Sequence, residues 1–204
     1  MLAPDQVDVL VLLGEVWSML AHGAADRRRA CHTPTLVTVD AGGRPCARTV
    51  VLRGVDPEVG TLRCHTDARS PKVDEITRSG WVSWHVYDMA AKVQLRCGGS
   101  ARVEREGATV DVAWDNTPLM SRRCYLAPRA PGAPSEGPSA NLPEALIERD
   151  PTSEESEGGR AHFAVVVCDV LEIEWLWLHH AGHRRAWWSR DGVGEAWRGG
   201  WLEP

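Results

Sequence analysis

Apolar residues first recur at helical spacing. Val9, Leu12, Leu13, Val16, Trp17 and Leu20 fall on one face of a helix predicted over residues 4–22. Pro4 suits its first turn and Gly23 its end. Beyond the basic run Arg27-Arg28-Arg29 the pattern shortens to the alternation of strands. Residues 35–39 are β-branched and short, and Asp40-Ala41-Gly42-Gly43 is a turn signal. Residues 45–53 form the second strand of that hairpin, and 61–66 form a third strand. Ser70 is placed to cap a short helix over 72–77, with Pro71 at its first position. Strands follow over 81–87 and 93–103, and a helix is expected within 107–126, ending near Tyr125. Thr33-Pro34 and Thr117-Pro118 mark turns or boundaries.

From Ala127 to Arg160 Pro, Gly, Ser and Glu take over, which predicts a long mobile loop with a short helix near 142–147. A strand over 163–168 and a hairpin over 171–190, its tip near Ala181-Gly182, complete the chain. Five to seven short strands with flanking helices predict a mainly β fold, a small barrel in a single domain spanning residues 1–204. No G-x-G-x-x-G opens a helix after a strand, which argues against a dinucleotide fold. No G-x-S-x-G, H-E-x-x-H or Walker-type loop is present.

Composition narrows the partners. A net charge of −5 gives no global attraction to nucleic acid or an anionic membrane, so an anionic ligand needs a local basic pocket. Lys72 and Lys92 are the only lysines. Six scattered cysteines with no C-x-x-C pair read as reduced thiols in or near a core. With no basic start before an apolar run and no long apolar span, the chain reads as cytoplasmic. His179, His180 and His183 flank a hairpin tip where neighbours point apart, so no metal site is expected. Of ten tryptophans, Trp175, Trp177, Trp187, Trp188, Trp197 and Trp201 crowd the end, and Trp175 and Trp177 share one strand face. That suits core or interface, or the wall of a ligand pocket.

The candidate chemistry begins with Arg48-Thr49-Val50-Val51-Leu52-Arg53. Five apart on one strand, the two arginines point to opposite faces unless a bulge or strand end intervenes. A guanidinium fork matches phosphate oxygens, although on spacing alone two solvated strand-end arginines are the plainer reading. Thr66, Ser70 and Lys72 put two hydroxyls and an ammonium at a strand end leading into a helix start, which suits an anion; an ordinary cap with a surface lysine is the plainer alternative. Gln94, in Gln94-Leu95-Arg96, has an amide that both donates and accepts, as the edge of a flavin ring requires.

Taken together, Arg48 through Arg53, His65-Thr66, Ser70-Pro71-Lys72 and Gln94-Leu95-Arg96-Cys97-Gly98-Gly99 resemble the pyridoxamine 5′-phosphate oxidase-like family of FMN-binding split barrels. The likeness covers residues 35–103 well and the late hairpin loosely. It implies that Arg48, Thr49, Val50, Val51, Leu52 and Arg53 line FMN, with Arg48 near its phosphate. It also implies that His65 and Thr66 contact the ring or ribityl chain, and that Ser70 and Lys72 hold the phosphate. Gln94 would reach the flavin of a neighbouring subunit in a homodimer, and Arg185 would be the family's late FMN arginine.

Two departures stand out. Pro71 occupies a position where many members have arginine. Ala181-Gly182-His183-Arg184-Arg185 stands where true pyridoxamine phosphate oxidases carry Arg-Leu-His-Asp-Arg, so the arginine for the substrate phosphate is missing. The chain is therefore more similar to the uncharacterised FMN-binding branch. The resemblance implies an FMN-dependent oxidoreductase acting on an unidentified small molecule. The alternatives are a pyridoxamine/pyridoxine 5′-phosphate oxidase, a non-enzymatic flavin- or haem-binding module, and a protein-interaction domain using the tryptophan-rich end. No side chain is assigned a catalytic acid or base role.

Overall fold

The structure, a computed structural model, describes residues 7–204. The first helix (α1, Val9–Ala25) begins later than the pattern implied, because the Asp8 carboxylate accepts from the Leu10 amide at 2.7 Å and caps it there. Pro4 lies outside the described residues. Gly23 does not end α1. It lies within the helix, where the Ala30–His32 turn packs so closely that a Cβ would fall 2.4 Å from Cys31 Cβ.

Among the described residues nine strands form one antiparallel sheet: β1 (Thr35–Val39), β2 (Pro45–Thr49), β3 (Leu52–Asp56), β4 (Thr61–Asp67), β5 (Trp81–Asp88), β6 (Val93–Glu104), β7 (Phe163–Trp177), β8 (Arg184–Ser189) and β9 (Arg198–Leu202). The main order is β2-β1-β5-β6-β7-β4-β3, with β8 on β7 and β9 on β8. The strand expected over 45–53 is two strands. β2 pairs with β1 at one edge and β3 with β4 at the other, so the chain changes edges at Val50-Val51. Two edges joined by two residues cannot lie far apart, so the unclosed sheet curls into a split barrel. The remaining additional strand, β9, is too glycine-rich to read as one (Arg-Gly-Gly-Trp-Leu).

The expected break after residue 168 is also absent. β7 runs for 15 residues because both of its faces are buried. Val166, Cys168 and Val170 face the main core with α1, Leu36, Leu62, Trp84 and Leu95, while Phe163, Val165 and Val167 face a second cluster with Val110, Trp114 and Tyr125.

Helix α2 (Pro71–Ser79) follows β4 as the sequence implied, with Pro71 in its first turn and Gly80 closing it at φ 64°. The single helix expected within 107–126 is instead α3 (Ala108–Asp115), α4 (Leu119–Arg122) and a 3₁₀ turn (Arg123–Leu126), interrupted at Thr117-Pro118. The 127–160 segment holds a 3₁₀ turn at Glu144–Leu146 and a further helix, α5 (Ser153–Glu157). A capping box starts α5: the Glu155 amide donates to Thr152 Oγ1 at 3.2 Å and the Thr152 amide donates to Glu155 Oε2 at 2.8 Å. Among the described residues no helix is long and apolar enough to cross a membrane.

Arg122 ties this cap together. Its guanidinium donates to the Trp114 and Thr117 carbonyls at 2.8 and 3.0 Å and to Glu157 Oε1 at 3.0 Å, and it lies 4.5 Å from the Trp114 ring centre. Arg122→Ala leaves buried carbonyls without donors and is expected to cost about 2–4 kcal/mol. Thermal unfolding should show a midpoint lower by several degrees; an unchanged midpoint would mean that the cap does not depend on this arginine.

Candidate functional site

Strand parity sorts the candidate residues into three groups. Arg48 pairs with Leu36, whose side chain is in the core, so Arg48 points inward to the rim beside α2. Its guanidinium donates to Thr38 Oγ1 and, at 2.9 Å, to Glu75 Oε2; Thr38 also donates to Glu75. Thr66 alternates with the core residues Leu62 and Cys64 and shares that side. Lys72 Nζ donates to Thr66 Oγ1 at 3.1 Å and to Ser70 Oγ at 2.5 Å. Ser70 precedes α2 without capping it through its side chain, because the hydroxyl is engaged by Lys72 instead. Burial lowers the Lys72 pKa, as does the Arg48 guanidinium, while Cys64, Asp67 and Glu75 act in the opposite sense. Thr66, Ser70 and Lys72 thus converge, with Arg48 close enough to be felt. An ammonium supported mainly by neutral hydroxyls at a helix start suits a phosphate: the hydroxyls can turn to donate, and an added dianion would oppose the lowering of the lysine's pKa.

Between Arg48 and Arg53 the run serves the fold and a rim at once. Thr49 is exposed, and the Val50 amide donates to the Pro34 carbonyl at 3.0 Å. Val51 borders a cavity with Arg53, His65 and Tyr125. The Leu52 side chain is entirely in the core, which leaves only its backbone for a ligand.

Arg53 and His65 belong to a second group, facing outward. A register shift between Leu52 and Gly54 places Arg53 in a bulge and leaves it exposed. His65 sits two residues after Arg63 on the same face of β4 and meets Phe163 edge-on, ring centres 4.8 Å apart. Its Nδ1 is 3.5 Å from Thr117 Oγ1. Burial first, then Arg53 and Arg63, push the His65 pKa down to about 4.

A lowered histidine pKa makes the unfolded chain the better proton binder between about 4 and the ordinary 6.5. Stability is therefore full above pH 6.5 and falls as pH drops toward 4. The loss is on the order of 3 kcal/mol, and this residue adds none below that. Denaturant unfolding at pH 7 and 4.5 should show this limb in the wild type and a shallower one in His65→Gln; identical slopes would contradict the assignment.

Gln94 and Arg185 form the third group. Gln94 lies between the core residues Val93 and Leu95 and so faces away from the core. The register runs Gln94–Leu176–Arg185 across β6, β7 and β8, putting both polar residues in one row on the outward face. Glu174, in the adjacent row, accepts from Arg185 at 2.8 Å and from Arg96 at 3.1 Å, and its hydrogen bond, then its charge, raises the Arg185 pKa. Exposed Trp81, Tyr87 and Trp187 flank this face. Arg48 and Gln94 therefore lie on opposite faces of the sheet.

Three participants were not singled out from sequence: Thr38 and Glu75, which hold Arg48, and Arg63 beside His65. Arg63 carried a usable signal in its two-residue spacing from His65. Glu75 carried none, since only the tertiary docking of α2 on β1 brings it to Arg48.

Residues 15–105 match the family model described as pyridoxamine 5′-phosphate oxidase, FMN-binding domain. The chain is 27% identical over 170 residues to pyridoxine/pyridoxamine 5′-phosphate oxidase 2 of Arabidopsis thaliana, covering 78% of this chain and 82% of that protein. Among solved structures it is similar to a pyridoxamine 5′-phosphate oxidase-related, FMN-binding protein of Nostoc punctiforme, with 22% identity, TM-score 0.70, and coverage of 94% and 96% of the two chains. It is also similar to PhzG of Burkholderia lata, solved with tetrahydrophenazine-1-carboxylic acid, with 20% identity, TM-score 0.66, and coverage of 100% and 98%. At these identities the two structures establish a common split-barrel fold.

Proposed function

We propose, from the match of residues 15–105 to the FMN-binding domain model of pyridoxamine 5′-phosphate oxidase, that the chain is an FMN-dependent oxidoreductase of that family acting on a small molecule. The observation that carries this reading is the Thr66–Ser70–Lys72 cluster with Arg48 beside it. These four residues would hold the phosphate. Bound FMN supplies the hydride or electron transfer itself. The chain's own residues bind the cofactor, orient it and exclude water; no side chain is needed as an acid or base.

Gln94 and Arg185 stand on the outward face, away from the phosphate cluster. This supports a homodimer with FMN at the interface, each copy supplying its outward row to the other's cofactor. The exposed aromatics on that face give a second copy apolar surface to cover. Purified protein should be yellow, release FMN on denaturation and run as a dimer in light scattering. Colourless protein that takes up no FMN would sink the reading, and a Soret band would favour a haem-binding module instead.

The Arabidopsis relative's name favours a second reading, oxidation of pyridoxamine or pyridoxine 5′-phosphate. Hydrogen peroxide formed on adding either compound under air supports it; its absence with flavin-loaded protein removes it. Ala181, where the family's substrate-phosphate arginine is missing, counts against this reading.

A further inference from the structure

The residues assigned to the phosphate come from elements that are not neighbours in the sheet. Arg48 lies on β2, an edge strand paired on one side only, whose side chains are exposed or partly exposed. Thr66, Ser70 and Lys72 lie at the end of β4 and the start of α2. Arginine is long and rich in rotamers, so β2 by itself does not fix where the Arg48 charge sits.

That position is fixed from α2 and β1. Arg48 donates to Glu75 Oε2 at 2.9 Å and to Thr38 Oγ1, and Thr38 donates to the same Glu75 oxygen, so three side chains close a ring. Thr38 and Glu75 are both buried, Glu75 on α2 together with Val73 and Ile76. A carboxylate on that inner side of a helix is a poor choice for stability, since a well-packed apolar residue is often as stable or more so. Its charge also reaches the other half of the site. Burial is the main reason the Lys72 pKa is lowered; beyond that, Arg48 pushes it down and Glu75 pushes it up. Without Glu75, Arg48 and Lys72 would repel each other before an anion arrives, and the partly exposed arginine could turn to water.

We propose that Glu75, bridged by Thr38, is a positioning residue that holds Arg48 beside Lys72 and thereby sets the share of flavin affinity that comes from the phosphate. A guanidinium ordered in advance loses less freedom when the phosphate binds, and its remaining N–H groups stay available. This role rests on the assignment of the phosphate to Arg48 and Lys72, and Glu75 acts through Arg48 rather than on the flavin.

Titrations of flavin-free protein with FMN and with riboflavin, followed by fluorescence quenching, separate positioning from a purely structural ion pair. In Glu75→Ala, FMN affinity should fall about tenfold and riboflavin affinity should stay within about twofold, because riboflavin offers Arg48 no phosphate. Glu75→Gln keeps an oxygen that accepts from Arg48 and should lose less than Glu75→Ala. Unchanged or tighter FMN binding in Glu75→Ala, an equal loss for both flavins, or a larger loss in Glu75→Gln overturns the proposal. Should Glu75→Ala fail to fold, Thr38→Val serves, since it keeps the shape and removes the bridging hydroxyl. FMN affinity should then fall about threefold or more with riboflavin unaffected, and unchanged FMN affinity overturns the proposal. Wild-type protein that binds FMN no tighter than riboflavin overturns the phosphate reading itself. A wild-type preference for FMN that survives in full in these variants overturns the role of Glu75 alone.

Discussion

The Arg48→Ala/Lys72→Ala double variant should lose FMN during purification, with affinity at least 100-fold below the wild type. Each side chain offers a charge-assisted hydrogen bond to the phosphate, worth about 1.5–3 kcal/mol. Two together amount to about 3–6 kcal/mol, or two to four orders of magnitude in affinity. Arg48 has another task, since it holds Glu75 at 2.9 Å on the buried side of α2. Removing it alone leaves that carboxylate without its cation and endangers the fold. Lys72→Met is the cleaner companion: it keeps an apolar stem and removes only the ammonium that bridges Thr66 and Ser70. Lys72→Met should unfold near the wild-type temperature and still retain less flavin. Undiminished flavin content in a folded double variant would overturn the phosphate assignment.

The second large effect falls on two adjacent glycines. Gly98 and Gly99 sit at a register shift between β6 and β7, the strands at the centre of the sheet. A Cβ on Gly99 would fall 2.0 Å from the Asp169 carbonyl oxygen, which is backbone held on both sides. A Cβ on Gly98 would instead meet the Glu172 side chain, with its Oε1 2.5 Å and its Cγ 2.8 Å away, and that side chain can change rotamer where backbone cannot move. Gly99→Ala is therefore expected to cost at least about 3 kcal/mol or to prevent soluble expression. Gly98→Ala should stay within about 1 kcal/mol of wild type. Denaturant midpoints of the pair decide it, and equal midpoints would contradict the placement of the bulge. The consequence reaches the site, because this register sets Gln94 and Arg185 in one outward row.

Much of this architecture could be read from residue pattern, and the failures have physical causes. β1, α2 and β5 announced themselves through β-branched alternation, Pro71 and apolar spacing, because these signals are local to each segment whatever partner it later finds. The run from Pro45 to Arg53 misled because continuous β propensity says nothing about which partner each half will find. β7 misled in the opposite way: buried on both faces, it lacks the alternation that marks a strand exposed on one face. α5 was legible in principle, since Thr152 and Glu155 are a capping signature, but it was hidden within a composition that suggested loop.

The site divides along the same line. Thr66, Ser70 and Lys72 lie close in sequence and meet in space. Arg48 and Arg53 face opposite sides, as their spacing implied, although a strand break and a bulge that spacing could not locate lie between them. The glycines that end Gln94-Leu95-Arg96-Cys97-Gly98-Gly99 serve the sheet, so that stretch is a structural requirement as much as a cofactor signal. The buried Arg63 Nε has no hydrogen-bond partner among the described residues, a state that no local pattern reports.

A phosphate cradle built from Thr66, Ser70, Lys72 and Arg48 is tested most directly by comparing two flavins that differ only in the phosphate. In a fluorescence-quenching titration, flavin-free protein should bind FMN at least 100-fold more tightly than riboflavin, a difference of about 3 kcal/mol. Equal affinities, or no binding of FMN, would contradict the account.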